Sequence, residues 1–211
     1  TLDPHAQNEG PTTQVSRQIY EALVQRGLDM KIGPALAKSW KATDPNTWIF
    51  TLREDVKFSD GSKMTSGDVV FSILRAKQRT SDFKEYISTI SGVEAVGDYS
   101  VKITTSQPNP ILLNQLSNIF IMSKAWSEKN FAMSPQNWDA GQETFSATNA
   151  LGTGPFKITL REPNTKTVFK RNKHWWGEMK DKKVTQIELL PIKNAATRVA
   201  ALLSGEIDIV T

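Results

Sequence analysis

Residues 48–65 read WIFTLREDVKFSDGSKMT, and this stretch holds a strand, a turn and the start of a helix in succession. Apolar residues recur at every second position of residues 48–52, which is typical of a half-buried β-strand. Ser-Asp-Gly at residues 59–61 predicts a tight turn. Thr65, with Asp68 three residues later, predicts a helix start of the capping-box kind. The stretch is therefore expected to be a structural module without catalytic chemistry of its own.

Helix-like and strand-like patterns interleave through the rest of the chain. Apolar spacing predicts a helix over residues 12–26 and another over residues 195–203. A hairpin is expected over residues 156–170 and a strand at residues 207–210, whereas residues 126–150 are expected to form a long, irregular surface excursion. The interleaving indicates a mixed α/β class. The buried side of the second helix is expected to carry Val199, Ala200, Leu202 and Leu203.

Composition narrows the class of protein. Of the 211 residues, 38% are hydrophobic and 23% are charged, which suits a folded core without long charged tails. The net charge of +4 forms no basic stripe and accompanies no nucleic-acid motif, so no nucleic-acid partner is expected. The absence of cysteine excludes disulfides, thiolate nucleophiles and cysteine-based metal sites. No apolar run reaches the roughly 18 residues that a membrane span needs, and any secretion signal is expected to have been removed.

The residue types that carry most enzyme chemistry are scarce here. The two histidines, His5 and His174, are far apart in sequence, and neither has a partner at metal-ligand spacing. No nucleophile elbow, phosphate loop or zinc-protease motif occurs. The sequence therefore predicts no catalytic residue, no metal site and no cofactor, and the protein is not expected to be an enzyme.

Two function classes stay open on residues alone. Six tryptophans suit a binding surface, although packing is the commoner role for any one of them. The alternative is a carboxylate-dependent hydrolase acting on a polar substrate, which would need a pair of carboxyl groups with shifted pKa values in a cleft. The available pairs, Asp55 with Asp60 and Glu206 with Asp208, are sequence neighbours at expected turns and strand ends, where solvated roles are commoner.

Several short motifs follow one another along the chain. They are LDPH (2–5) with YEAL (20–23), PALAKSW (34–40), the opening stretch with its helix start (48–69), GTGPF (152–156), RN with WWG (171–177) and GEID (205–208). In this order they resemble the family 5 extracellular solute-binding proteins, the peptide and nickel receptors of bacterial ABC importers. The resemblance covers essentially the whole chain.

This resemblance implies an architecture. The expected fold is α/β, a type II periplasmic-binding-protein-like lobe with a mixed sheet flanked by helices and a small inserted α+β domain. Residues 1–33 and 150–211 would be segments of the first lobe, and residues 34–149 would be the inserted domain. The second lobe is expected to lie outside this chain.

The resemblance also implies a function. A receptor of this family would capture di- or oligopeptides in the cleft between its lobes and deliver them to an ABC permease in the membrane. It would work as a monomer in the periplasm or outside the cell, with lipid anchoring left open. Nickel-chelate or other small-solute binding is the alternative within the family, and it is disfavoured because residues 116–120 lack the arginines that nickel-binding relatives place there.

The loop after LDPH is the expected first-lobe edge of the cleft. Glu9 could meet a cationic group of a ligand, and Gly10 would let a ligand approach the backbone. The glycine-rich motif further along the chain is expected at a hinge or at the cleft edge. The expected ligand-binding residues are Asn8, Glu9, Gly10, Thr12 and Thr13, and the expected hinge or cleft-edge residues are Gly152, Thr153 and Gly154.

Overall fold

A computed structural model describes residues 1–178 and 183–210. The helices are α1 (Gly10–Ile19), α2 (Ser66–Ala76), α3 (Leu112–Leu116), α4 (Lys124–Lys129), α5 (Phe145–Thr148) and α6 (Ala195–Leu203), with a 3-10 turn at Lys84–Ile87. The strands are β1 (Val24–Arg26), β2 (Ile32–Pro34), β3 (Ala37–Asp44), β4 (Thr47–Leu52), β5 (Ile90–Ala95), β6 (Ser100–Thr105), β7 (Phe156–Glu162), β8 (Lys166–Arg171) and β9 (Gln186–Leu189). None of the helices in the described ranges is both long and apolar enough to cross a membrane.

The strands form three antiparallel sheets. β1 pairs with β2, a four-stranded sheet has the order β3-β4-β6-β5, and a three-stranded sheet has the order β7-β8-β9. The expected hairpin over residues 156–170 is confirmed by the β7–β8 pair. The opening stretch supplies β4, which is an inner strand, so Phe50 lies between Trp40 on one neighbour and Val101 on the other. Phe50 and Leu52 are fully buried, as their alternation predicts.

The predicted cap of α2 is confirmed. A carboxylate oxygen of Asp68 accepts a hydrogen bond from the backbone N–H of Thr65 at 2.8 Å, which satisfies a donor that the helix start would otherwise leave free. The other carboxylate oxygen accepts from the backbone N–H of Lys124 at 2.8 Å. One side chain therefore holds the start of α2 and the start of α4 together.

Two apolar clusters build the interior. The larger one lies between the four-stranded sheet and α2 and includes Phe50, Val69 and Ile73. The smaller one lies between α1 and the three-stranded sheet and includes Ile19 and Phe169. Helix α2 joins the two clusters because its apolar residues point to different sides. Val69 and Ile73 belong to the larger cluster, and Phe71 belongs to the smaller one.

The predicted helix over residues 12–26 is wrong in its second half. Helix α1 ends at Ile19, and Tyr20 is already extended, with φ −114° and ψ 155°. The Ile19 carbonyl accepts a hydrogen bond from the N–H of Gly154 at 2.7 Å. Beyond it, the Glu21 carbonyl accepts from the N–H of Ile121 at 2.9 Å. Pairing with distant segments therefore replaces the helical hydrogen bonds that local spacing had predicted.

Two predictions near the end of the chain are also wrong. Residues 207–210 form no strand with any described segment. Helix α6 has the predicted bounds, but the side that was expected to be buried is open: Val199 is 52% exposed, Leu203 is 82% exposed, and Ala201 is the residue that is buried. The apolar spacing identified the helix correctly, yet the described residues supply no layer over its apolar face.

Residues 126–150 are more ordered than the predicted surface excursion. They contain most of α4 and all of α5, and they fold back over the start of the chain. The N–H of Leu2 donates to the Ala147 carbonyl at 2.8 Å, and the N–H of Gln136 donates to a carboxylate oxygen of Asp3 at 3.2 Å. The polar composition of this segment reflects hydrogen bonds to the interior as well as to solvent.

Asp68→Ala is expected to lower the free energy of unfolding by about 1–3 kcal/mol, because two helix-start amides lose their acceptor. Urea unfolding at pH 7 measures the change. Glu94→Ala is the matched control: its carboxylate pairs with Lys102 at 3.3 Å on an exposed surface, so the expected loss is at most about 0.5 kcal/mol. Equal losses for the two variants would contradict the assigned role of Asp68.

Candidate ligand-binding site

A fully buried ion pair lies at the base of the candidate site. The guanidinium of Arg75, on α2, donates to the two carboxylate oxygens of Asp3 at 2.7 and 2.6 Å. Both side chains are completely inaccessible to solvent. Burial alone would raise the pKa of Asp3, but the hydrogen bonds and charge of Arg75 outweigh it and lower the pKa to about 2. The two-point geometry fixes the orientation of both side chains.

The remaining donors of Arg75 hold the segment that returns over the N-terminus. Its Nε donates to the Ala132 carbonyl at 3.0 Å, and Nη2 donates to the Ser134 carbonyl at 2.8 Å. On the other side of the pair, the Ser146 hydroxyl donates to a carboxylate oxygen of Asp3 at 2.8 Å. Because the ion pair has partners on both sides, it ties the start of the chain to α2 and to residues 132–146.

His5 extends this network in one definite tautomer. Its Nδ1 lies 3.2 Å from an Arg75 nitrogen, and its Nε2 lies 2.8 Å from the Phe120 carbonyl. Since guanidinium can only donate, Nδ1 accepts, and Nε2 carries the hydrogen that is donated to Phe120. Burial, reinforced by the charge of Arg75 and opposed by Asp3, lowers the pKa of His5 to about 4. His5 is therefore neutral near pH 7.

The chain leaves this network and comes to the surface at residues 8–10, which we term the rim loop and whose last residue, Gly10, begins α1. The backbone N–H of Asn8 donates to Asp82 at 3.2 Å, and its side-chain amide donates to the Tyr86 hydroxyl at 3.1 Å. Glu9 is exposed and directly precedes α1. Apart from its chain neighbours and the backbone of α1, nothing lies within 4 Å of the position that a Cβ on Gly10 would take. The rim loop thus presents a carboxylate and open backbone from a rigid base.

The two threonines that were expected beside these residues are placed differently. Thr12 is only 7% exposed and is directed into the interior. Thr13 is half-buried, and its N–H donates to the Glu9 carbonyl at 2.9 Å in the first turn of α1. The structure therefore brings Asn8, Glu9 and Gly10 together at the surface and leaves the threonines on the helix behind them.

Gly152, Thr153 and Gly154 pack against the end of α1. All three are buried. A Cβ on Gly152 would lie 2.1 Å from the Ile19 carbonyl oxygen, and one on Gly154 would lie 2.7 Å from it. The Gly152 carbonyl also accepts from the N–H of Ser59 at 3.0 Å, next to the turn of the opening stretch. The absence of a side chain on Gly152 and on Gly154 is what permits this close approach, and a hinge role for residues 152–154 stays a prediction.

A second polar cluster lies around Glu21. Its two carboxylate oxygens accept from the indole N–H groups of Trp175 and Trp176 at 3.1 and 2.9 Å. The guanidinium of Arg53 lies 4.0 Å from the centroid of the Trp176 ring, in cation–π geometry. Burial raises the pKa of Glu21, and the two indole donors act in the opposite direction. This cluster, which we term the indole joint, fixes Trp175 and Trp176 against Glu21 and against Arg53, the residue that follows β4.

Reasoning from sequence missed both clusters. Asp3, His5, Arg75 and Glu21 were present in the motifs or near them, but no interaction between them was predicted. One signal was available, because Asp68, Ser72 and Arg75 recur at helical spacing within an otherwise apolar segment, and the structure buries all three. A polar line on a buried helix face indicates an internal hydrogen-bond network.

The described residues show no arrangement suited to metal binding. Within residues 1–178 and 183–210, no three histidine, aspartate or glutamate side chains lie close enough to share an ion. The histidines have separate surroundings: His5 belongs to the buried network, and His174 lies against the turn of the opening stretch, where a Cβ on Gly61 would be 3.3 Å from its Nε2. The arrangement offers hydrogen bonds and one exposed carboxylate at the rim loop.

Comparison with known proteins decides the family. The family model described as bacterial extracellular solute-binding proteins, family 5 Middle, matches residues 31–211. The chain belongs to this family. The resemblance carried by the sequence motifs is therefore confirmed.

Relatives of this family 5 protein align with nearly its whole length. The periplasmic murein peptide-binding protein MppA of Escherichia coli K12 is 28% identical over 99% of this chain and 41% of its own. The nickel-binding periplasmic protein of the same organism is 30% identical over 99% of this chain and 38% of its own. The chain thus spans about 40% of the length of these curated relatives. Their names describe periplasmic binding proteins rather than enzymes.

Solved structures confirm the fold class. The binding protein AgaA of A. tumefaciens R10, in complex with agropinic acid, superposes with a TM-score of 0.86 at 28% identity, over 98% of this chain and 40% of its own. NikZ of Campylobacter jejuni, in complex with Ni(L-His), superposes with a TM-score of 0.80 at 28% identity, over 92% of this chain and 37% of its own. The family 5 chain accordingly has the fold of a single lobe of these proteins.

The buried network predicts how stability depends on pH. The folded-state pKa of His5, about 4, lies below its ordinary value of 6.5, so the unfolded chain binds more protons between these values. Stability is therefore expected to fall as the pH drops from 6.5 towards 4, by up to about 1.4 kcal/mol per pH unit. The lowered pKa of Asp3 extends the loss from pH 3.8 towards 2.

Urea unfolding of the parent and of His5→Gln at pH 6.5, 5.5 and 4.5 measures this dependence. The variant is expected to have a shallower loss of unfolding free energy across the window, because it lacks the titrating ring. Ile19→Val, a non-titrating change in the smaller apolar cluster, is the control and should keep the parent slope. Parent-like dependence in His5→Gln would show that His5 does not carry it.

Gly152→Ala is expected to lower the free energy of unfolding by at least about 2 kcal/mol, because the new methyl group would collide with the backbone of Ile19. Gly33→Ala is the matched control, since no atom lies within 4 Å of the corresponding Cβ position in β2. The free energy of unfolding of this control is expected to stay within about 0.5 kcal/mol of the parent value. Thermal unfolding of both variants tests the contrast, and similar losses would refute the close-packing account.

Proposed function

We propose that this family 5 protein is an extracytoplasmic receptor that captures di- or oligopeptides and delivers them to the permease of an ABC importer. The observation that carries the proposal is the rim loop: an exposed carboxylate and open backbone held on a fully buried ion pair. Relatives named as peptide-binding support the substrate class, among them MppA and the oligopeptide-binding protein OppA of Escherichia coli, both 28% identical.

The chemistry of the rim loop suits a peptide. Glu9 can accept a charge-assisted hydrogen bond from a terminal amine or a lysine side chain. The backbone N–H of Gly10, in the first turn of α1, can donate to a main-chain carbonyl of a ligand, a recognition mode that tolerates different side chains. Asn8 is held by Asp82 and Tyr86, so the loop is ordered before a ligand arrives. Such preorganisation lowers the entropy lost on binding.

The proposal includes a division of the chain. Residues 1–33 and 150–211 form first-lobe segments, and residues 34–149 form the inserted domain. The placement of the sheets supports this division. The four-stranded sheet lies wholly within residues 34–149, and the three-stranded sheet lies within residues 150–211. Gly152, Thr153 and Gly154, at the boundary, are the proposed hinge, and a second lobe outside this chain closes over the ligand.

Location and partners follow from the same proposal. The receptor acts as a monomer in the periplasm or outside the cell, beside a membrane permease that accepts its ligand. The names of the relatives, which describe periplasmic proteins, support the compartment. Anchoring by a lipid is compatible with the proposal and is not required by it.

Nickel-chelate binding is the second candidate within the family. It is favoured by the nickel-binding relative of Escherichia coli at 30% identity and by the similarity to NikZ in complex with Ni(L-His). Residues 116–120 of this chain lack arginine, which weighs against it. The same binding experiment distinguishes the two candidates if its ligand panel contains both peptides and nickel with histidine.

Glu9→Gln is expected to weaken peptide binding roughly tenfold, equivalent to about 1.4 kcal/mol, because a charge-assisted contact becomes a neutral one. Calorimetry on the natural polypeptide that contains residues 1–211, with di-, tri- and hexapeptides and with nickel–histidine, measures the effect. Glu54→Gln is the control: that carboxylate pairs with Lys38 at 3.3 Å on an exposed surface away from the rim loop, and affinity should not change.

Three results would separate the possibilities. Binding of nickel–histidine without any peptide would replace the peptide proposal by the second candidate. Peptide binding with parent affinity in Glu9→Gln would keep the receptor function and remove Glu9 from the site. Absence of binding across the panel would overturn both substrate classes.

A further inference from the structure

A phenylalanine occupies a backbone position where a helix end of this kind usually has a glycine. Helix α4 ends at Lys129, and Phe131, two residues later, has φ +55°, in the left-handed region. The N–H of Ala132 then donates to the Ser127 carbonyl at 2.8 Å, which closes the helix end. Glycine is preferred at such a position because it has no Cβ, so a phenylalanine is held there under strain.

The side chain of Phe131 gains no packing in return for this strain. It is 93% exposed. The backbone beside it is fixed, because Ala132 is fully buried and its carbonyl accepts from Nε of Arg75 at 3.0 Å. An ordered backbone therefore holds the ring out into solvent. A strained residue whose side chain does not pack against the fold indicates a role outside the fold.

Two further apolar side chains extend this exposed surface. Met133 is 38% exposed, and its carbonyl accepts from the side-chain amide of Gln78, just beyond the end of α2, at 3.2 Å. Leu74 is 50% exposed and directly precedes Arg75, whose guanidinium binds the same segment. We term Leu74, Phe131 and Met133 the apolar ridge. The ridge lies where the C-terminal end of α2 meets the segment that follows α4.

Two basic side chains flank the apolar ridge. Lys129 is the last residue of α4, and Arg79 lies three residues beyond the end of α2. Both are exposed, and neither forms an ion pair within residues 1–178 and 183–210. Glu128, the acidic residue next to Lys129, lies 3.7 Å from Lys124 instead. The ridge is therefore bordered by two positive charges that no ion pair in the described part of the chain neutralises.

We propose that the apolar ridge, together with Arg79 and Lys129, is a contact surface for an anionic lipid bilayer. The three apolar side chains enter the boundary between the headgroups and the acyl chains, where burial of apolar surface is favourable. The two cations lie against the negatively charged headgroups, which attract basic residues close to the membrane surface. The combination of protruding apolar side chains and flanking cations matches both layers of such a membrane.

A bilayer fits this surface better than a protein partner does. A stable protein interface involves about 20–30 residues on each side, whereas the apolar ridge and its cations comprise five. Lipids are fluid and adapt to single protruding side chains, so no matching pocket is needed. A contact of this size is weak and reversible, and it orients a protein that already works beside a membrane. The inference goes beyond the proposed function and does not depend on which solute is bound.

Vesicle co-flotation of the natural polypeptide that contains residues 1–211, produced without any covalent lipid, tests the proposal. The vesicles contain phosphatidylcholine and phosphatidylglycerol in equal parts. Phe131→Gly removes the ring and supplies the residue that the left-handed backbone prefers, so urea unfolding should stay parent-like while vesicle binding falls at least about tenfold. Lys129→Gln should weaken binding about fivefold, because one cation near the anionic surface is lost.

Val96→Ser is the matched control. Val96 is 51% exposed at the β5–β6 turn, and the carbonyl of the next residue, Gly97, accepts from the Ser66 hydroxyl at the opposite end of α2. Vesicle binding of this variant should equal that of the parent. A site-specific readout is also possible because residues 1–211 contain no cysteine. An environment-sensitive dye on Phe131→Cys should shift to the blue when vesicles are added, and the same dye on Val96→Cys should not.

Several results would overturn the proposal. They are absence of parent binding to the anionic vesicles, parent-like binding by folded Phe131→Gly, and equal parent binding to vesicles of phosphatidylcholine alone. Binding that requires a permease in the vesicles would overturn it in favour of a protein partner. Calorimetry should find parent affinity for the solute in Phe131→Gly, so failure of the proposed solute class would leave the vesicle result unaffected.

Discussion

The ion pair between Asp3 and Arg75 is the constraint on which the N-terminal part of the structure depends. Two charges removed entirely from water are stable only if each finds several partners in good geometry. Here the partners come from α2, from residues 132–146 and from His5, so each of these segments is held in position by the same requirement. The rim loop follows Asp3 closely in the chain, so the segment that leads to it is anchored by this pair.

The indole joint, like the ion pair, connects segments that are far apart in the sequence. Glu21 accepts hydrogen bonds from two indole N–H groups in residues 172–177, and Arg53 of the opening stretch lies against one of these indoles. The turn of the same stretch lies against His174. Residues 48–65 are thus a platform on which a distant loop is seated, and they hold residues 172–177 and the four-stranded sheet in a fixed relation.

Local patterns predicted the elements whose hydrogen bonds are local. Strand β4, the Asp68 cap and the bounds of α6 follow from alternation, capping chemistry and helical spacing, which depend on near neighbours. The end of α1 could not be predicted in this way, because Gly154, 135 residues after Ile19, replaces a helical donor. Of the candidate site, the exposure of residues 8–10 was predictable from polarity, whereas the burial of Thr12 depends on packing against the rest of the fold.

The sequence separation within the two polar clusters has a consequence for biosynthesis. Asp3 bonds to Ser146, 143 residues away, and Glu21 bonds to Trp175, 154 residues away. A nascent chain that has not reached Ser146 and Trp175 cannot form these two bonds, whatever the state of its local helices. High contact order slows folding because long loops must close before these bonds form. Asp3 and Glu21 therefore lack these partners until the chain has been made as far as Ser146 and Trp175.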